Sequence, residues 1–391
     1  MTKEEFLRIL IENKGSSELH ATAIFPMDDS FETKMPLINI LSLDESKISE
    51  QGKLVLELLE NDVDDNYHKD FIRFKWKLWA LTIIQDLFPG TIYSDFSHDT
   101  YNARFYFYYE SLHLIREFFY VGLNNFLKAA DHLLRTILEF NIRQCYFNQK
   151  CDDTSSYKSV SDYLEKGYCP SNQSMLNSFL PNNTTGKATK VNIQQLIKKL
   201  SNSSSHAFDP DDSSRYHGKL HFEYTPDSLV FWMKMDYVLT PILWSYYLMY
   251  PMAFQPKDIL KKFGFNYPTG AFISKEHFHI FKNSLQPDDY QIFQQHSNAQ
   301  QIVADLEAFY ESQETLSDEQ IKATWSVDDG ELPEKLNWGF MHTVARLRAI
   351  KEILANHCTL TTRDDEEMPD DFLEKHSSLV FWQKNYTKIK S

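Results

Sequence analysis

Residues Tyr101–Phe147 read "YNARFYFYYESLHLIREFFYVGLNNFLKAADHLLRTILEFNIRQCYF". The stretch holds no proline, and its apolar residues recur at helical spacing. It predicts two long helices that meet near Gly122 and Asn125. The second carries the clearest pattern of the chain. Leu134, Leu138, Ile142 and Tyr146 lie four apart, as do Leu133, Ile137, Asn141 and Cys145. Two adjacent rows at that spacing make a broad face for burial. A third row is charged throughout: Asp131, Arg135, Glu139 and Arg143. Alternating signs four residues apart form an ion-pair ladder. One reading of the ladder is the wet face of a core helix. The other places Arg135 or Arg143 at a polar cleft.

Working outward, composition agrees with helix. The 391 residues include 11 glycines and 14 prolines, too few glycines for a turn-rich β protein. Glycine-rich phosphate loops and a GxSxG elbow are missing from the sequence, which excludes the common nucleotide and hydrolase signatures. Apolar residues make up 42%, enough for a sizeable core, and 15% of the chain is aromatic. The expected architecture is all-α with short β pieces at most, in three regions. Residues 1–99 form a helical lead-in. Residues 100–252 form a helical core with a polar insertion at 149–224. Residues 253–391 form a C-terminal helical domain.

Local signals refine this. Lys3–Glu12, Ser49–Glu60 and Asp70–Leu87 read as helices, and Pro89-Gly90 as a break. Within the insertion, "PNNTTGKATK" (181–190) and "SNSSSHAFDPDDSSRYH" (201–217) read as loops, with short helices at Tyr157–Lys166 and Asn192–Leu200. Thr225-Pro226-Asp227 has the chemistry of a helix start. That helix is expected to run to about Leu239, with Pro241 kinking its continuation to Tyr250. Ser317 and Gln320 form a capping-box pair, and Leu336–Ala355 is amphipathic.

The net charge is −15, and such a surface repels nucleic acid at long range. Any RNA contact then needs a local basic patch or a basic partner. Acidity concentrates in "TTRDDEEMPDDFLEK" (361–375), either a solvated loop or a docking strip for a basic surface. Four cysteines with no CxxC pair fit a reducing compartment. The start of the chain reads as an amphipathic helix, not a signal peptide. The apolar run Tyr237–Phe254 is interrupted by Ser245, Pro241 and Pro251 and reads as a core helix, not a membrane span. The expectation is a cytoplasmic protein without membrane contact.

Polar candidates gather at Ser213–Tyr224. Tyr216, Leu220, Phe222 and Tyr224 alternate with Arg215, His217, Lys219, His221 and Glu223, a period of two that predicts an extended segment. His217 and His221 would then stand ~13 Å apart, too far to share a metal ion. No metal or cofactor is expected. His277-x-His279 lacks further ligands at sensible spacing.

The stretch "LLRTILEFNIRQCYF" (133–147), followed by "LSNSSSHAF" (200–208) and a long apolar helix, resembles the HEPN-like helical superfamily. Arg135, Glu139, Ser203 and His206 resemble one of its motifs, and Arg215 with His221 another. The resemblance covers residues 100–252. It implies a HEPN-like bundle and one of two functions. The first is a metal-independent ribonuclease effector of a bacterial defence or toxin system, acting as a homodimer. His221, Arg215, His217 and His206 would be catalytic, and Arg135, Arg143 and Lys219 would hold RNA. Histidine suits proton transfer at a ribose hydroxyl, and arginine suits a phosphate. The second is a non-catalytic helical scaffold or protein-binding subunit of such a system, which the acidic charge favours. Two departures weigh on the first: Tyr216 follows the arginine, and His221 precedes the helix cap at Thr225.

Overall fold

The computed structural model describes residues 36–61, 65–88, 98–154, 162–163, 167–205, 229–263, 272–317 and 320. Among them the chain is all-α. Twelve α-helices and three short 3₁₀ turns are present, and the one β feature is an isolated bridge between Pro256 and Ile273. The α-helices, in chain order, are α1 (Leu37–Ile40), α2 (Glu50–Asn61), α3 (Asp65–Ile83), α4 (His98–Leu123), α5 (Leu127–Thr154) and α6 (Asn172–Phe179). They continue as α7 (Thr184–Ser205), α8 (Trp232–Met249), α9 (Ile259–Phe263), α10 (Lys275–Asn283), α11 (Pro287–Asn298) and α12 (Gln301–Ser312).

Helices α4 and α5 form the expected hairpin. The joint turns at Asn125, whose φ of 64° is left-handed, a conformation Asn tolerates better than most side chains. Gly122 stands against the ring of Phe231, where any Cβ would overlap the aromatic carbons. That approach locks the start of the α8 region onto the hairpin tip. Helix α5 is the central element and packs on α4, α6, α7 and α8. Its two apolar rows do turn inward: Leu134, Leu138, Ile142, Ile137 and Cys145 are buried. Asn141 belongs to the same face and is buried too, so it needs partners. Its amide donates to Ser111 Oγ at 2.6 Å and to the Ile137 carbonyl at 2.9 Å, and it accepts from the Tyr246 hydroxyl at 3.1 Å.

The N-terminal helices are stitched to this hairpin. The Asp44 amide donates to the Tyr120 hydroxyl at 2.6 Å, and Arg116 Nε donates to the Leu41 carbonyl at 2.8 Å. Lys75, 4% exposed, meets Glu60 at 2.5 Å, and Glu60 also accepts from the Leu37 amide. One hydrophobic cluster runs from Leu37 to Phe293, with Phe71, Phe74, Trp76, Trp79 and Trp232 among its rings. A smaller cluster of Met252, Ile259, Phe272, Val303 and Tyr310 joins α9 to α12.

Several local readings are corrected. Helix α7 starts at Thr184, so most of 181–190 is helical, as are Ser201–Ser205. The start is capped by Asn183, whose side chain accepts from the Gly186 amide at 2.8 Å. Helix α6 lies in a stretch read as polar insertion; Ser171 caps it by accepting from the Ser174 amide. Helix α8 continues through Pro241 to Met249, as expected. The Ser317–Gln320 reciprocal pair forms as expected, at 2.7 and 3.3 Å. The readings at Lys3–Glu12, Tyr157–Lys166, Tyr216–Tyr224 and Leu336–Ala355 lie wholly or mostly outside the described residues. Within the described residues no helix is long and apolar enough to cross a membrane.

Candidate functional site

Of the seven candidate residues, His206, Arg215, His217, Lys219 and His221 lie outside the described residues. Arg135 and Arg143 are described, and both turn to Glu139. Arg135 Nε meets Glu139 Oε1 at 3.0 Å, and Arg143 Nη2 stands 3.8 Å from Oε2. Asn172 of α6 also donates to Glu139, at 3.3 Å. The Arg143 guanidinium lies over the rings of Phe107 and Phe140, 6.0 and 5.6 Å from their centroids. Cation–π contact and a part-buried carboxylate hold that side chain against the helix surface. Burial pushes the nearby Cys169 thiol above its ordinary range, and Arg143 pulls the other way and loses. The fourth charge of the row, Asp131, accepts from Lys234 of α8 at 2.7 Å, tying α5 to α8.

An open concave feature lies elsewhere, between α7 and α8. It is a cleft of about 450 Å³. Such a volume falls in the range of small-ligand and peptide-anchor pockets. Asn192, Gln195 and Lys199 come from α7, and Tyr237, Thr240 and Trp244 from α8. Helical spacing puts each trio on one face. Tyr237 is 69% exposed, a large value for an aromatic ring. The Lys199 ammonium stands 5.6 Å from its ring centroid. Trp244 sits deeper, edge-on to Phe293 at 5.2 Å.

At its side the cleft is electrostatically closed. Lys77 of α3 donates to both Asp236 oxygens, at 2.7 and 3.0 Å, and to Thr240 Oγ1 at 2.9 Å. Those three bonds use all three ammonium protons. Pro241 has no N–H, so it cannot donate to the Tyr237 carbonyl as a helix residue would. Lys199 is the cleft's cation without a carboxylate partner among the described residues. Among the described residues no group of three or more His, Cys, Asp or Glu side chains is placed to hold a metal. His277 is buried beside Ser274, and His279 contacts Asn283 and the edge of Trp76.

The sequence reading passed over this cleft. Its signal was Met233, Tyr237, Pro241 and Trp244, spaced along one side of an otherwise buried helix. Its α7 wall, Asn192, Gln195 and Lys199, falls in the segment read as a helix; what the sequence does not show is that this helix packs beside α8. Comparison with known proteins finds no matching family model, no matching curated protein and no matching solved structure.

Proposed function

We propose that this chain is a non-catalytic, partner-binding helical module, the second of the two functions implied by the HEPN-like resemblance. The α7–α8 cleft carries the reading. An aromatic ring exposed at 69% beside Lys199, which has no carboxylate partner among the described residues, suits recognition, since aromatic anchors dominate binding surfaces. The cleft's carboxylate, Asp236, is spent on Lys77 of α3, which also donates to Thr240. Arg143 is likewise engaged by Glu139 and two rings, which supports a structural role over a phosphate clamp. The net charge of −15 favours a protein partner over RNA.

The ribonuclease reading rests on Arg215 and His221 and makes the opposite forecast. Both are tested with purified protein and a mixed RNA pool in excess chelator, followed by end-group analysis for cyclic phosphate. The expected result is no cleavage beyond that of an Arg215→Ala, His221→Ala double variant. Cleavage by the wild type that His221→Ala abolishes overturns the proposal. In cells that naturally express the protein, a stoichiometric partner should co-purify with the tagged wild type. It should be lost with Tyr237→Ala, Lys199→Glu.

A further inference from the structure

Residues 167–205 contain Lys187, Lys190, Lys198 and Lys199 and no Asp or Glu, in a chain that carries 55 acidic residues. All four lysines belong to α7. None of them has an ion-pair partner among the described residues, and Lys187, Lys198 and Lys199 are exposed. Lysines 187 and 198 are eleven residues apart, three turns, and so share a face, while Lys199 turns into the cleft. The helix is therefore a basic ridge along one wall of the cleft. Its apolar neighbours are exposed as well: Val191 at 47%, Met233 at 41% and Tyr237 at 69%.

We propose that the acidic stretch Asp364–Asp371 of the same chain docks on this ridge and covers the cleft. Charge complementarity argues for it. Asp364, Asp365, Glu366, Glu367, Asp370 and Asp371 are the densest carboxylates in the sequence, and α7 is its acid-free counterpart. Pattern agrees with charge. Met368 lies among those carboxylates, Phe372 and Leu373 follow directly after them, and all three match the exposed Val191, Met233 and Tyr237. Reach is sufficient. The 46 residues between Ser317 and Asp364 span up to ~150 Å when extended, and the ridge from Lys187 to Lys199 is ~18 Å long. RNA offers negative charge too, but the whole-chain field opposes its approach. The strip is already on the chain. It acts as a built-in competitor for the cleft, which rests on the reading of the cleft as a partner site.

The test is zero-length carbodiimide cross-linking of the full chain at low concentration, with mass spectrometry of the joined peptides. Mixed ¹⁴N and ¹⁵N chains separate links within one chain from links between two. The expected links join Lys187, Lys198 or Lys199 to residues 364–371 within one chain, and they fade in high salt. Lys187→Glu, Lys198→Glu, Lys199→Glu removes the amines and abolishes these links by itself, so the informative variant is the charge-reversed pair. Adding Asp364→Lys, Asp365→Lys, Glu366→Lys, Glu367→Lys should restore them with the polarity reversed. That rescue guards against a variant that merely misfolds. Strip links that go elsewhere, or fail to form, overturn the proposal; links only between chains overturn it in favour of a second copy. Absent cross-links with Tyr237-dependent partner capture intact remove the strip alone. Lost capture with cross-links intact removes the partner reading alone.

Discussion

Leu138 has no exposed surface and sits where α5 meets its neighbours. Leu138→Ala should cost about 2–5 kcal/mol, because the surrounding helices cannot collapse fully onto the gap. Denaturant melts measure this, and an unchanged midpoint would mean that the α5 face is not the core. Cys169 offers a chemical test. Burial raises its pKa above the ordinary 9.0, and Arg143 beside it lowers it by less. A raised pKa means little thiolate at neutral pH. Alkylation of the Cys169 peptide by iodoacetamide should be slow at pH 7.5 and still climbing above pH 9. Arg143→Ala should push the curve higher. A rate that levels off below pH 8.5 contradicts this. At this scale the sequence was readable wherever a residue's own character decides its place, as for Leu138 and Ile142. Asn141 was readable only as a member of an apolar row. Its partners Ser111 and Tyr246 lie 30 and 105 residues away, and no local pattern announces them.

The α4–α5 hairpin was legible because periodicity over dozens of residues outweighs any single position. The first turns of helix α7 were not, because polar residues dominate them and hide the buried Gly186 and Thr189. The cap was nonetheless written in the sequence as Asn183 three before Gly186. Asn183→Ala should therefore cost about 0.5–2 kcal/mol, by stranding an amide at the helix start. Asn183→Asp should retain most of the stability. Hydrogen exchange locates the effect: the first turn of α7 should lose protection before the rest. Equal loss along the whole helix would show that α7 is held only by its packing on α5 and α8. The cleft was missed for a different reason: both of its walls were read as helices, and no local pattern tells which two helices pack side by side. Arg135 and Arg143 were found by spacing alone. Their engagement by Glu139, and the Phe140 ring beside Arg143, follow from helical spacing, but the ring of Phe107 on α4 does not.

At the scale of the molecule, the dominant long-range term is charge. A net −15 spread over one chain repels itself, and folding brings those charges together. Screening sets how far the repulsion sums. The Debye length is ~30 Å at 0.01 M salt, so most surface charges feel one another, and ~8 Å at 0.15 M, so few do. The compact ion pairs respond differently. Lys75–Glu60 at 2.5 Å is shielded from solvent, and Lys77 is held by two bonds to Asp236 and one to Thr240. Neither weakens much with added salt. The thermal midpoint should therefore rise between 0.01 and 0.15 M sodium chloride, followed by circular dichroism in the helical bands. Lowering the pH at low salt toward the isoelectric point near 5.4 should act in the same direction, because it removes net negative charge. At 0.15 M the same pH step should do much less. A midpoint that falls with salt would mean that attractive surface pairs outweigh the net repulsion. It would also weaken the electrostatic case for a protein partner over RNA, since both conclusions rest on the same field.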